Sequence, residues 1–409
     1  MGKFVLLRDG NFGRRIEMSR PGDPFVARTG PLMRGSTTRD FVPPEPLVEF
    51  TDLSPRDFRD AKRDPSVMGM ARPMPLRMIE PFASEAKADV GATWGIEAVG
   101  ASSSPYDGSG VKVAVLDTGI DPDHAAFAGV SLQMKNFTGG PDTAPDGQGH
   151  GTHCAGTVFG RDVDGLRIGV ARGVTEALIG KVLADDGGGS SEMLFDGMQW
   201  ARREGAKVIS MSLGFDLPGA AADLIAQGWP ETLATSVALE SYRENLRIFD
   251  AVMAMFDAQA ALDGGVVVVA AAGNESQRQI DPDFEVSASL PAAANDVVSV
   301  GAAGQLQDGL TVADFSNTNP ILSGPGVDVI SAEPGGGLQP LSGTSMACPH
   351  VAGLAALWWE ALAGRPIPLT SDAVTARLRA NANARLFRDD VDIADRGEGL
   401  AQAPQALIA

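Results

Sequence analysis

The sequence predicts a doubly wound α/β domain, a mostly parallel sheet with helices on both faces, preceded by a small α/β N-terminal unit. Three observations predict it. Short, nearly continuous apolar runs recur after Gly110, as expected of strands buried on both faces of a parallel sheet. Helical segments alternate with those runs, the pattern of a doubly wound domain. Before about residue 83 a separate strand–helix–strand texture appears, and the small, polar stretch Ser84–Thr93 then reads as a linker. The chain accordingly divides into an N-terminal region with its linker (1–88) and a main domain (89–409).

Taken in order, residues 1 to about 43 are rich in Arg, Gly and Pro, with a strand expected at Lys3–Arg8. Leu47–Phe50 alternates like a strand. Ser54-Pro55 supplies an N-cap and a first-turn proline for a short helix through Arg56–Arg63. Val67–Ala71 and Leu76–Ile79 are further strand candidates, separated by Pro73 and Pro75. In the main domain the buried-strand runs are Val111–Leu116, Ala177–Leu183, Lys207–Met211, Val266–Ala271 and Val297–Val300. Ser191–Glu204 and Val351–Leu362 read as helices. Within 215–265, Leu217–Trp229 suggests a loop with one short helix, and Glu231–Leu262 a largely helical segment.

Composition narrows the functions open to the chain. A formal net charge of −19 over 409 residues argues against nucleic acid or an anionic membrane as partner, because both require a basic surface. Two cysteines cannot form a disulfide framework. The run Phe4–Leu7 is short for a signal-peptide core, and no segment has the length to span a bilayer. A cytoplasmic location is the expectation, with export by another route left open.

Loops beyond the carboxyl ends of parallel strands are where such folds hold their chemistry. Asp117 ends one expected strand and is followed by Thr118-Gly119. His150, one of four histidines, lies in Gly149-His150-Gly151-Thr152-His153-Cys154. Ser345 lies in Gly343-Thr344-Ser345-Met346-Ala347. A serine hydroxyl becomes an effective nucleophile when an imidazole takes its proton. A carboxylate on the other ring nitrogen fixes the tautomer and supports the imidazolium. Flanking glycines allow tight turns and close backbone approach.

These three segments resemble the active-site motifs of the subtilisin-like serine proteases, in that family's known order Asp, His, Ser. The resemblance runs from about Thr93 to the C-terminus. It implies a serine endopeptidase with Ser345 as nucleophile, His150 as general base and Asp117 orienting it. Ala270-Ala271-Ala272-Gly273-Asn274-Glu275 is similar to the family's oxyanion segment, which gives Asn274 the role of side-chain donor. Lys181–Gly189, with Gly187, Gly188 and Gly189, resembles the strand that pairs with peptide substrate; Ser212, Leu213 and Gly214 resemble the opposite wall. Ala271, Ala272 and Gly273 would floor the primary pocket, and their small size suggests room for a large side chain.

The same resemblance makes the N-terminal unit an inhibitor-type propeptide, so that the chain is a zymogen whose own N-terminal region blocks the cleft. Cleavage would then fall between about Pro81 and Thr93. Peptide or protein is the implied substrate, and the chemistry needs no cofactor. The chain departs from the pattern in two places. Phe215–Gly265 is much longer than the usual link, an insertion that could narrow specificity or bind a partner. Gly160–Gly165 lacks the family's asparagine-rich calcium loop, leaving Asp162 and Asp164 as a sparse pair for a structural calcium.

Other readings of these residues stay open at this level. His150, His153 and Cys154 with Asp117 would suit a metal, but without a second ligand pair at helical spacing. Cys154 and Cys348 follow His150 and Ser345 by about one helical turn, which places both near the site as packing residues or as sites of oxidant sensitivity. Asp185 and Asp186 are either solvated turn residues or a preference for basic side chains upstream of the cleaved bond. A non-catalytic peptide-binding protein would usually lack a triad residue; none is missing.

Overall fold

A computed structural model describes residues 2–18, 42–86 and 91–406. Most of the Arg/Gly/Pro-rich stretch and part of the expected linker lie outside the described residues. The central sheet has the order Gly309–Val312, Val297–Leu306, Val267–Ala271, Val208–Met211, Val113–Asp117, Glu176–Lys181, Ser131–Asn136, with Leu322–Pro325 also pairing with Val297–Leu306. Its pairs are parallel except for the edge strand Gly309–Val312. Val113, Val115, Val208, Val267 and Val269 are among the buried side chains that face one layer of helices, while Ala114, Leu116, Ile209 and Val268 face the other.

Two helices in this domain are buried on nearly every side. His150–Phe159 is buried at all ten positions, and Thr344–Leu362 at all but Glu360. Burial all round removes the amphipathic period by which helices are recognised, so periodicity marks only Val351–Leu362 in the second, while the starts of both are expected from the one-turn spacings His150–Cys154 and Ser345–Cys348. Among the described residues no helix is long and apolar enough to cross a membrane.

The N-terminal unit is a three-stranded antiparallel sheet in which Gly2–Asp9 lies between Pro46–Leu53 and Val67–Ala71. Ser54 caps the helix Pro55–Ala61 in a reciprocal arrangement with Asp57, the local chemistry expected of Ser-Pro-x-Asp. Phe12–Met18, expected to be irregular, forms a short helix.

The inserted segment holds two helices, Leu217–Ala226 and a 33-residue helix Glu231–Asp263. The second half of the long helix seats the N-terminal sheet. Val5, Leu7, Val48 and Ala71 join Ile248, Phe249 and Val252 in one buried apolar cluster, and Gly69 lies against Ile248 so closely that a Cβ there would stand 3.0 Å from its Cγ1. Asn245 Nδ2 donates to the Arg72 carbonyl at 2.8 Å and Gln259 Nε2 to the Pro44 carbonyl at 2.8 Å. The insertion thereby fixes where the chain leaving the N-terminal sheet must run.

Candidate active site

Asp117 ends the Val113–Asp117 strand and is buried. Its Oδ1 accepts from Thr118 N–H at 2.8 Å and faces His150 Nδ1 at 2.7 Å. His150 opens its helix from a Gly149 N-cap in the left-handed region (φ 102°), so the imidazole points back toward the strand end. Contact between the two loops requires two glycines. A Cβ on Gly151 would stand 2.2 Å from the Gly119 carbonyl, and Gly119 itself has φ +118°.

A residue that the sequence reading passed over clamps these loops together. Asp146 Oδ1 accepts from Thr118 Oγ1 (2.8 Å), Gly149 N–H (2.8 Å) and Gln148 N–H (3.2 Å). Its Oδ2 accepts from the N–H (2.8 Å) and Oγ1 (2.7 Å) of Thr152. One carboxylate thus ties the loop after Asp117 to the start of the His150 helix. Asp146→Ala should lower the unfolding free energy by about 2–3 kcal/mol, the scale for losing hydrogen bonds to a charged group. Urea denaturation measures it, and a change below about 0.5 kcal/mol would remove Asp146 from this role.

Ser345 lies in the first turn of Thr344–Leu362, a helix that runs straight through Pro349. The proline has no N–H to give the carbonyl four residues back. That carbonyl belongs to Ser345, and it accepts instead from Ser212 Oγ at 3.0 Å and Cys154 Sγ at 3.4 Å. Ser212 therefore supports the Ser345 backbone. On the other side, Asn274 Oδ1 accepts from Thr344 N–H and Oγ1, both at 2.9 Å, which turns its Nδ2 toward the cleft. His150 Nε2 has no hydrogen-bond partner among the described residues.

An extended part of the chain's own N-terminal region occupies the cleft. Pro75–Met78 runs antiparallel between Gly188–Ser190 and Leu213–Phe215, pairing Arg77 with Gly188 and Gly214, and Leu76 with Gly189 and Phe215. Met78 N–H donates to the Gly187 carbonyl at 2.8 Å. Leu76 and Ile79 are buried, and Ile79 Cγ1 lies within van der Waals distance of where a Gly214 Cβ would be, beside Ser289. Ser345 Oγ donates to the Ile79 carbonyl at 3.0 Å, and Asn274 Nδ2 to the next carbonyl, of Glu80, at 2.9 Å. Beyond Pro81 the chain pairs again, Phe82 with Ser342 and Ala83 with Leu341. Ala271 closes a sheet strand and Ala272 bridges to Val300 and Ser289 through its backbone. Gly273 (φ +116°) is hemmed in by Asn317 and Glu275.

Two histidines and two cysteines beside the site are held neutral. Burial pushes His153 down to about 3 and His350 to about 4. Each ring hydrogen-bonds backbone carbonyls, His153 Nε2 facing Val329 O (3.1 Å) and Gln339 O (3.2 Å), His350 Nδ1 facing Met346 O (2.8 Å). His153 thus points away from His150. The one cluster of metal-ligand-type atoms among the described residues is Asp117, His150 and Cys154. Burial pushes the Cys154 thiol well above its ordinary range, which disfavours the thiolate that a metal or an oxidant would need. Cys348, buried beside Met211 O and Ser210, is likewise raised, to about 11.

The acidic residues singled out in the sequence are engaged elsewhere. Asp185 faces Lys181 at 2.6 Å and accepts from Gly147 N–H at 3.2 Å, while Asp186 accepts from Gly188 N–H at 2.9 Å within its own turn. Asp162 faces Arg172 at 3.3 Å. The carboxylate that does meet a basic side chain on the cleft strand is Asp216, 2.5 Å from Arg77; no local signal in the sequence marked it.

Comparison with known proteins agrees with this arrangement. The sequence profile of the Subtilase family (Peptidase_S8) matches residues 108–400. Subtilisin-like protease 6 of Trichophyton soudanense is 35% identical over 286 residues, 64% of this chain and 57% of the relative. Subtilisin-like serine protease Pen ch 13 of Penicillium rubens is 34% identical over 399 residues, 92% of this chain and 84% of the relative. The chain therefore spans little more than half the length of the first of these and most of the second.

Proposed function

Because the chain belongs to the subtilase family, we propose that it is a serine endopeptidase made as a zymogen, with Ser345, His150, Asp117 and Asn274 as its catalytic residues. The observation that carries the proposal is the extended segment gripped between Gly188–Ser190 and Leu213–Phe215, with its Ile79 carbonyl 3.0 Å from Ser345 Oγ. Main-chain pairing on both edges is how an extended peptide is held by strand addition.

In the reaction, His150 Nε2 takes the Ser345 proton as Oγ bonds to the scissile carbonyl carbon. Asp117 keeps Nδ1–H in place and supports the imidazolium. Asn274 Nδ2 and the Ser345 N–H, free at the helix start, hold the oxyanion. One side-chain donor of this kind contributes about 2.7–4 kcal/mol. The imidazolium then protonates the leaving amine as the C–N bond breaks. Water attacks the acyl-enzyme with His150 again as base, releasing the acid and restoring Ser345. Peptide or protein is the substrate, and residues up to Ile79 act as the intramolecular occupant until they are cut away.

A fluorophosphonate probe tests this directly. Protein allowed to process itself should be labelled on the peptide containing Ser345, and phenylmethylsulfonyl fluoride should block the labelling. Absence of label at Ser345 in protein that has shed its N-terminal region would reject the serine mechanism.

A further inference from the structure

The geometry points to Asp216 as a specificity-determining residue that selects a basic side chain two positions before the residue whose carbonyl meets Ser345. This inference rests on the endopeptidase reading, with Pro75–Ile79 standing in for a substrate. In the antiparallel pairing Gly214 lies opposite Arg77, and Asp216 N–H donates to the Pro75 carbonyl at 3.0 Å, one pair further along. Side chains of directly opposed residues share a face, as do diagonal neighbours two residues apart. Gly214 has no side chain, so Arg77 reaches along that face to Asp216. Its Nε stands 2.5 Å from Asp216 Oδ2. Leu76 is buried on the opposite face.

Asp216 is built to wait there. It is the N-cap of the helix Leu217–Ala226, and its Oδ1 accepts from Gly219 N–H at 2.8 Å, which leaves Oδ2 for a ligand. Its side chain is only 12% exposed, while that of Arg77 is 70% exposed. The receptor group is therefore fixed and the guanidinium is the mobile partner. A half-exposed ion pair is weak, and with the receptor carboxylate already fixed the selection should lie in the upper part of its range, about two- to fivefold. A carboxylate in place of the guanidinium would meet repulsion and fall below a neutral residue. Asp185, engaged by Lys181 and Gly147, and Asp186, engaged by Gly188, do not supply this charge.

The test uses self-processed protein and four quenched peptides containing Leu-Xaa-Met-Ile before the cleaved bond, with Xaa as Arg, Lys, Ala or Glu. Wild type should rank them Arg and Lys above Ala above Glu in kcat/KM, with the Arg-to-Ala ratio about two- to fivefold at low salt and shrinking at high salt. Asp216→Asn keeps the helix cap, since asparagine caps as well as aspartate, and should bring the Arg-to-Ala ratio close to one. Equal rates for the four peptides in wild type would overturn the inference while leaving the endopeptidase reading standing. So would an Arg preference that survives in Asp216→Asn. Failure of wild type to cut any of the four, or to label with fluorophosphonate, would reject the reading beneath it as well.

Discussion

Ser345→Ala is expected to lower peptide hydrolysis about a millionfold and to leave the chain at full length. The size of the first effect is that of removing the nucleophile from a triad that acts as a unit. The second follows from where the chain places its own backbone. Wild type holds the Ile79 carbonyl 3.0 Å from Ser345 Oγ, with strand pairing on both sides of that point, so it should acylate at Ile79 and release a chain beginning at Glu80. Asn274 Nδ2 lies on the Glu80 carbonyl in this arrangement, so it must transfer to the neighbouring Ile79 carbonyl for the oxyanion to be held, with the strand register unchanged. N-terminal sequencing and intact-mass measurement of both proteins decide the matter. A full-length wild type, or a Ser345→Ala protein processed at the same bond, would break the link between nucleophile and maturation. A first cut outside residues 79–81 would detach the zymogen proposal from this strand, including a cut in the 81–93 stretch expected from the sequence.

Which parts of this molecule were legible beforehand has a physical explanation. The buried parallel strands showed because Val, Ile and Ala had to fill both of their faces, leaving apolar runs that end at Asp117 and Met211. The Ser54-Pro55 helix start showed because capping is local chemistry. Asp117, His150, Asn274 and Ser345 showed because each lies among glycines and small residues of a recognisable motif. The helix His150–Phe159 is buried all round and has no polar face, so only its first turn was legible, from the His150–Cys154 spacing. In the first turns of the Ser345 helix the period was masked by Pro349, whose missing N–H is answered from Ser212 and Cys154, residues more than 130 positions away in the chain. Asp146 and Asp216 read as ordinary turn residues, since their partners come from loops that only the fold brings together. The same holds for the cleft strand. Nothing within Pro75–Met78 says that it lies between two strands of another domain; the seat on Ile248 and Phe249 of the inserted helix decides that.

His153 and His350 together should withdraw about 4 kcal/mol of stability from the fold between pH 7 and pH 5. Both are fully buried and held neutral, with folded values pushed down to about 3 and about 4. In the unfolded chain each returns to about 6.5. Between those values the unfolded state binds more protons, so stability is complete above about pH 6.5 and falls as the pH drops toward the folded values. At pH 5 each histidine contributes a loss of about 2 kcal/mol on that scale. Carboxylates held below their ordinary range, such as Asp185 and Asp263, add losses only at lower pH, because their unfolded values lie near 4. Urea unfolding of the Ser345→Ala protein, which the proposed mechanism leaves unable to digest itself, measures the difference at the two pH values. His153→Gln and His350→Gln should each remove about half of the pH dependence, whatever they do to stability at pH 7. Carboxylates held above their ordinary range, such as Asp196 and Glu244, act in the opposite direction, so the variants decide: an unchanged slope in both would mean that these imidazoles can take a proton inside the fold. Among the described residues His153 Nδ1 and His350 Nε2 are buried with no hydrogen-bond partner, and His350 Nε2 packs so near Gly95 that a Cβ there would stand 2.5 Å away, so a second ring proton would find no acceptor.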